Sequence, residues 1–199
     1  MFSTGCEDLD LRIGGFSDGI NLIYGTPATG KTTLGMITSN FFASKNKKVF
    51  YIDSENGFTV DRFKLISNNK LYENLIVFKV KNLDEQYRLI EKLPLKCDLL
   101  ILDSLGYYYR SELRKDHVLA NLLVKKHFDR LKLFSKKTCI LIMNQVYCDI
   151  TTTTIKCVGG NFVMNSCDTK IFLEKEPRIL HSEGNKFEFE INNSGIIFP

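Results

Sequence analysis

The sequence predicts a single α/β domain with a mainly parallel central sheet, and three observations support this. Short apolar runs alternate with stretches of helical spacing, which is typical of βαβ units with right-handed crossovers. Residues 25–32 read Gly-Thr-Pro-Ala-Thr-Gly-Lys-Thr, a complete phosphate-binding loop between a predicted strand and a predicted helix. The chain has 199 residues, of which 44% are hydrophobic and 25% charged, as expected for one globular domain spanning residues 1–199.

The elements follow from local patterns along the chain. Residues 1–19 form an N-terminal segment that ends in glycine-containing turns. Apolar, β-prone runs predict strands at 20–24, 48–53, 75–80, 98–103 and 138–144. Apolar residues spaced by three and four predict helices at 33–44, 60–67, 83–93 and 112–136. The last of these helices is rich in lysine, up to Lys136 and Lys137, and we interpret its charge as a solvated face rather than a DNA-binding one.

The pattern changes after Gln145. A polar loop is predicted over residues 146–161, and a loop of that length in a compact domain is usually functional or disordered. Short alternating runs then predict antiparallel strands at 169–173, 178–181, 186–191 and 196–198, a C-terminal extension of the sheet.

The composition of the chain limits which classes of function are possible. The formal net charge of +4 permits nucleic-acid binding but does not argue for it alone. Six cysteines occur without a C-x-x-C pair, which favours reduced thiols. The N-terminus has no apolar signal segment and no run approaches the length of a membrane span, so we expect a cytoplasmic protein.

The phosphate-binding loop predicts ATP and Mg²⁺ as ligands. Gly25 and Gly30 allow the backbone N–H groups to face phosphate oxygens, and the following helix N-terminus adds partial positive charge. Lys31 is expected at the β- and γ-phosphates and the Thr32 hydroxyl at Mg²⁺. The predicted nucleotide contacts are Gly25, Thr26, Pro27, Ala28, Thr29, Gly30, Lys31, Thr32 and Thr33.

Polar residues that end the predicted strands supply the remaining chemistry, because these ends face the ligand crevice of a parallel sheet. Asp103 follows a four-residue apolar run and is expected to orient Mg²⁺, although it could instead cap a helix. Glu55 is the expected base that polarises water, with Asp53 as its rival. Gln145 is expected to hydrogen-bond the γ-phosphate or the attacking water, completing a catalytic set with Lys31 and Glu55.

The segment from Gly106 to Arg110 contains three tyrosines beside an arginine. Such residues could stack on bases and bind phosphate, but the tyrosines could equally pack on the long helix. On the residues alone both interpretations stay open.

These strings, taken in order, resemble the RecA/RadA recombinase superfamily over nearly the whole chain. The resemblance rests on residues 4–15, 25–33, 51–62, 102–110, 144–146 and 159–173. It implies a RecA-like ATPase core that acts in homologous recombination, with Arg62 stacking on adenine. It also implies two DNA-binding loops, whose expected contacts are Tyr108, Tyr109, Arg110, Arg114 and Lys156.

Some features depart from the superfamily pattern. The chain begins at the core, the first loop is short, and the second loop offers only Lys156 as a base. We therefore expect an accessory protein, a monomer or small homo-oligomer, that assists a full-length recombinase and forms no filaments alone. Its expected partners are single-stranded DNA, double-stranded DNA as a further candidate, and other repair proteins.

The sequence leaves two other functions open. A signalling ATPase of the KaiC kind would show two adjacent glutamates, whereas Asn56 follows Glu55 here. A non-hydrolysing, ATP-dependent scaffold would differ only in turnover.

Overall fold

The computed structural model describes residues 1–134, 138–148 and 153–199. Within them the helices are α1 (Glu7–Ile13), α2 (Lys31–Ser44), α3 (Val60–Ile66), α4 (Leu83–Lys92), α5 (Gly106–Leu113), α6 (His117–Phe134) and α7 (Gly160–Asn165). The strands are β1 (Ile20–Gly25), β2 (Val49–Asp53), β3 (Leu75–Lys79), β4 (Leu99–Asp103), β5 (Cys139–Asn144), β6 (Val146–Cys148), β7 (Ile155–Cys157), β8 (Thr169–Leu173), β9 (Ile179–Ser182), β10 (Asn185–Glu188), β11 (Glu190–Asn192) and β12 (Gly195–Ile197).

Eight strands form one sheet in the order β10-β9-β8-β1-β5-β4-β2-β3. The six strands from β8 to β3 in this order run parallel, and β9 and β10 add antiparallel pairs at one edge. The prediction of a mainly parallel α/β sheet with a C-terminal antiparallel extension is therefore confirmed. One detail differs, because β8 pairs parallel with β1 and only β9 reverses direction.

The central strands are buried on both faces, which explains their continuous apolar runs. Alternate side chains of β4 divide between two cores: Leu100 and Leu102 pack with α4, α5 and α6, whereas Leu99 and Ile101 pack with α2 and α3. This arrangement fixes the register of the sheet, since a shift by one residue would exchange the two faces. It also holds the carboxyl ends of β1, β2, β4 and β5 together at one edge.

The predicted helix over 112–136 is wrong in its extent. The structure has two helices there, α5 and α6, and the side chain of Asp116 accepts a hydrogen bond from the Leu119 N–H at 2.9 Å, as an N-cap does. The apolar spacing that predicts the helix runs from Ala120 to Phe134, so it gives no support to helix over residues 112–116. Residues 135–137, including Lys136 and Lys137 of the predicted basic end, lie outside the described residues.

The long polar loop predicted over 146–161 is also wrong where it is described. Val146–Cys148 and Ile155–Cys157 pair as an antiparallel two-stranded sheet, and α7 begins at Gly160. Residues 149–152, between the two strands, lie outside the described part of the chain. Similarly, the strand predicted over 186–191 divides into β10 and β11, which belong to different sheets.

Candidate nucleotide and nucleic-acid sites

The phosphate-binding loop joins β1 to α2 as the sequence predicts. Ala28 and Gly30 both have positive φ angles, 63° and 106°. The φ angle of Gly30 is one that residues with a Cβ rarely adopt, so this position favours glycine, and Ile191 lies close beside it. The Lys31 ammonium curls back to donate to the carbonyl oxygens of Gly25 at 2.9 Å and Thr26 at 2.7 Å. Burial lowers the pKa of Lys31 from its ordinary value, opposed by the negative charges nearby.

Asp103 lies at the carboxyl end of β4 and faces the first turn of α2. Its Oδ2 accepts hydrogen bonds from the Thr32 hydroxyl at 2.7 Å and from the Tyr51 hydroxyl at 2.6 Å. Burial raises the pKa of Asp103 to about 6, although both hydrogen bonds favour the ionised form. The carboxylate and the hydroxyl therefore face each other as two oxygen ligands suited to Mg²⁺.

Glu55 and Asp53 follow the same strand but differ in their surroundings. The Asp53 side chain is fully buried and accepts from the Gly57 and Phe58 N–H groups, and Lys79 pairs with it at 2.6 Å. Glu55 is exposed and accepts from the Ser104 hydroxyl and, at 2.9 Å, from the Gln145 amide. The hydrogen bonds of Asp53 therefore stabilise the fold, whereas the exposed carboxylate of Glu55 is the one that can contact a ligand.

Asn144 and Gln145 end β5 and also separate into different roles. Asn144 is buried and donates to the Val158 carbonyl at 2.8 Å, which ties β5 to the segment before α7. Gln145 is half-buried and links two groups, since its Nε2 donates to Glu55 and its Oε1 accepts from Arg110 at 3.2 Å.

A cavity of about 520 Å³ collects the nucleotide candidates. Residues 27–33 of the loop line it together with Glu55, Arg62 and Asp103, whereas Gly25, Thr26 and Gln145 of the predicted set do not. Arg62 donates to the carbonyl oxygens of Asn192 at 2.7 Å and Asn193 at 3.0 Å, which anchors the β11–β12 hairpin beside the loop.

The sequence analysis missed four residues of this cavity, and they are Arg178, Ile191, Asn192 and Asn193. They lie more than 100 positions after the loop, in β-strands and turns that carry no motif of their own. The alternating pattern of 186–191 marked an apolar Ile191 but not the direction in which it points.

The tyrosine-rich segment forms α5 rather than a loop. Tyr109 is 6% exposed, and its hydroxyl donates to Asn121 at 2.7 Å, so its side chain packs on α6. Packing on the long helix is one of the two interpretations that the sequence left open. Tyr109 also lines the second cavity, described below, so its contact with DNA stays a prediction. Tyr108 is half-buried and donates to the Val80 carbonyl, whereas Arg110 and Arg114 are exposed.

A second cavity, of about 450 Å³, lies beside these arginines. Arg110, Arg114, His117 and Tyr147 line it, so α5, the start of α6 and β6 meet there. Lys156 is exposed on β7, directly opposite Tyr147 in the hairpin register. Cations and an aromatic ring on one surface are suited to a nucleic-acid strand.

The described residues also bear on other site types. All six cysteines are free thiols. Among the described residues, no cluster of three or more His, Cys, Asp or Glu side chains has metal-binding geometry. No described helix combines the length and apolar character needed to cross a membrane.

Comparisons with known proteins agree with this geometry. The model of the Rad51 family matches residues 1–181. The DNA repair and recombination protein RadB of Pyrococcus abyssi is 34% identical over 98% of this chain and 92% of that protein. RadB of Methanococcoides burtonii is 32% identical over 86% of this chain and 82% of that protein. A solved structure described as the RadB recombinase superposes with a TM-score of 0.78 at 26% identity, covering 98% of each chain.

Proposed function

Because the chain belongs to the Rad51 family, we propose that it binds ATP with Mg²⁺, hydrolyses it slowly, and acts as an accessory protein of DNA repair and homologous recombination. Members of this family are ATPases. The observation that carries the proposal is the cavity of about 520 Å³ in which the phosphate loop, Asp103 and Glu55 meet. We propose that residues 1–199 form one ATPase domain. The Rad51 match favours this function over a KaiC-like signalling ATPase.

The site residues take distinct roles in this proposal. Lys31 binds the β- and γ-phosphates, while Thr32 and Asp103 hold Mg²⁺ through oxygen ligands. Mg²⁺, when bound, neutralises charge on the phosphate oxygens. Glu55 accepts a proton from the attacking water, and Gln145, already bonded to Glu55, positions that carboxylate.

We assign adenine binding to Arg62 and to the β11–β12 hairpin that Arg62 anchors. Its guanidinium lies at the cavity wall and is held by two carbonyl oxygens of β11 and the following turn. A planar cation fixed in this way provides a stacking surface for adenine.

The DNA-binding surface is proposed to lie on α5 and the β6–β7 hairpin, with Tyr108, Tyr109, Arg110, Arg114 and Lys156 as its contacts. The exposure of both arginines beside the second cavity supports this assignment. Single-stranded DNA is the expected ligand, double-stranded DNA a further candidate, and a full-length recombinase the expected protein partner. A cytoplasmic location is part of the same proposal.

A monomer or small homo-oligomer is the proposed form. Electron microscopy with ATP, Mg²⁺ and single-stranded DNA tests it. Regular filaments of this protein alone would show a recombinase rather than an accessory protein.

The substitution Lys31→Ala tests the nucleotide assignment. We expect the variant to keep its fold, since Lys31 contacts only loop oxygens, and to lose ATP binding and turnover. Calorimetric titration with ATP and a steady-state hydrolysis assay measure both, with a thermal melt as the control for folding. A folded variant with unchanged affinity and turnover would refute the assignment. ATP binding without turnover in the wild type would instead indicate a scaffold.

A further inference from the structure

Arg178 lies beside the phosphate loop because of the sheet topology. Strand β8 pairs with β1 up to the position where Leu173 opposes Gly25, the first residue of the loop. The turn that follows β8 is closed by a hydrogen bond from the Glu174 N–H to the Ile179 carbonyl at 2.9 Å. Arg178 ends this turn, and its Nη1 donates to the Ala28 carbonyl of the loop at 3.0 Å.

The guanidinium of Arg178 keeps most of its donor capacity. Among the described residues, Ala28 is its one hydrogen-bond partner, and a guanidinium carries five N–H donors. Its side chain is half-buried and lines the nucleotide cavity. A planar fork of N–H groups matches the geometry of phosphate oxygens.

The charges of the cavity favour a phosphate ligand at this position. Its cations are Lys31, Arg62 and Arg178, and its carboxylates are Glu55 and Asp103. Arg62 is held by the β11–β12 hairpin on another side of the cavity, so Lys31 and Arg178 are the cations that contact the loop itself. The loop is where the phosphates of a nucleotide bind.

We propose that Arg178 binds the polyphosphate of the nucleotide held by the phosphate loop of its own chain. The proposal rests on the proposed ATP site and adds to it a second phosphate-binding cation that no neighbouring subunit has to supply.

The test compares Arg178→Ala, Arg178→Lys and Lys175→Ala with the wild type. Lys175 is the matched control, because it lies in the same turn but pairs with Glu176 at 3.0 Å and does not line the nucleotide cavity. Displacement of a fluorescent ATP analogue gives the affinities for ATP, ADP and inorganic tripolyphosphate. We expect Arg178→Ala to weaken ATP and tripolyphosphate binding about tenfold each, Arg178→Lys to restore part of the loss, and Lys175→Ala to have no effect.

The outcomes separate this proposal from the function it rests on. Wild-type affinity of Arg178→Ala for ATP and tripolyphosphate, with Lys31→Ala inactive, would overturn the role of Arg178 and leave the ATP site intact. A loss for ATP without a loss for tripolyphosphate would also overturn it, because the contact would then be to the nucleoside. A wild type that binds no nucleotide would overturn the proposed function and this proposal together.

Discussion

Tyr51→Phe tests whether the buried tyrosine positions the proposed magnesium ligand. Tyr51 is fully buried, and its hydroxyl donates to Asp103 Oδ2 at 2.6 Å. Its ring packs against Phe58 at a centroid distance of 4.9 Å and beside Gly35, where a Cβ would lie 3.2 Å from the hydroxyl. Phenylalanine keeps the ring and removes only the hydrogen bond, so we expect the fold to persist.

The size of the effect follows from that hydrogen bond. A hydrogen bond to a charged group contributes about 1.5–3 kcal/mol, and 1.36 kcal/mol corresponds to a factor of ten. Burial already raises the pKa of Asp103 to about 6, and the Tyr51 hydroxyl counteracts that rise. Its removal raises the pKa of Asp103 further. Mg²⁺ must then compete with a proton, and we expect the Mg²⁺ concentration for half-maximal turnover to increase about tenfold at pH 6.5.

The assay is a Mg²⁺ titration of ATP hydrolysis at pH 6.5 and pH 8. The defect should be smaller at pH 8, because the carboxyl is deprotonated there without help. Tyr72→Phe is the matched control, since its hydroxyl bonds Asn40 at 3.1 Å, away from the site. A Mg²⁺ requirement that equals the wild type, or a defect that is independent of pH, would refute the positioning role.

Three further predictions follow from the same geometry. Glu55→Gln should bind ATP but not hydrolyse it, whereas Asp53→Asn should chiefly lower the unfolding free energy, because Asp53 bonds two backbone N–H groups and Lys79. Hydrolysis assays and urea denaturation compare the two variants, and the reverse result would exchange the roles assigned to the two carboxylates. Single-stranded DNA binding should weaken steeply with salt, with a smaller salt dependence in Arg110→Ala; an affinity that does not change with salt contradicts the proposed surface. Burial lowers the pKa of His127 to about 4, so the folded state resists protonation, and its stability falls by about 3 kcal/mol as pH falls from about 6.5 towards 4. Urea denaturation across this pH range should show that His127→Gln loses less stability than the wild type. Equal losses would contradict a buried, neutral imidazole.

The strands and the phosphate loop could be predicted because each depends on local sequence. Strand β4 reads as four apolar residues ending in Asp103, and burial on both sheet faces produces that pattern wherever it occurs. The loop depends on two glycines and a lysine at fixed spacing. In both cases the physical cause lies within a few residues of its effect.

The missed features depend on contacts between distant parts of the chain. Arg178 and Ile191 reach the loop only because β8 lies next to β1 and the β11–β12 hairpin folds back over α2. The break between α5 and α6 is an exception with a local signal, because residues 114–117 are all polar and Asp116 can cap a helix. Whether Tyr109 packs on the long helix could not be decided from the sequence, because it depends on the position of α6.

The charged groups of the nucleotide site hydrogen-bond to the loop and to one another, and this affects how substitutions in the site should be interpreted. Lys31 donates to loop carbonyls, Asp103 accepts from two hydroxyls, Glu55 accepts from Gln145, and Arg178 donates to Ala28. A ligand therefore exchanges one set of hydrogen bonds for another, and the net gain per contact is smaller than the strength of the bond itself. The substitution Lys31→Ala removes the bonds of Lys31 to the loop carbonyls as well as its proposed bonds to phosphate, so the loss of affinity is smaller than the strength of the phosphate bonds alone. The same reasoning predicts that variants which keep the charge, such as Arg178→Lys, recover more binding than a count of lost hydrogen bonds would suggest.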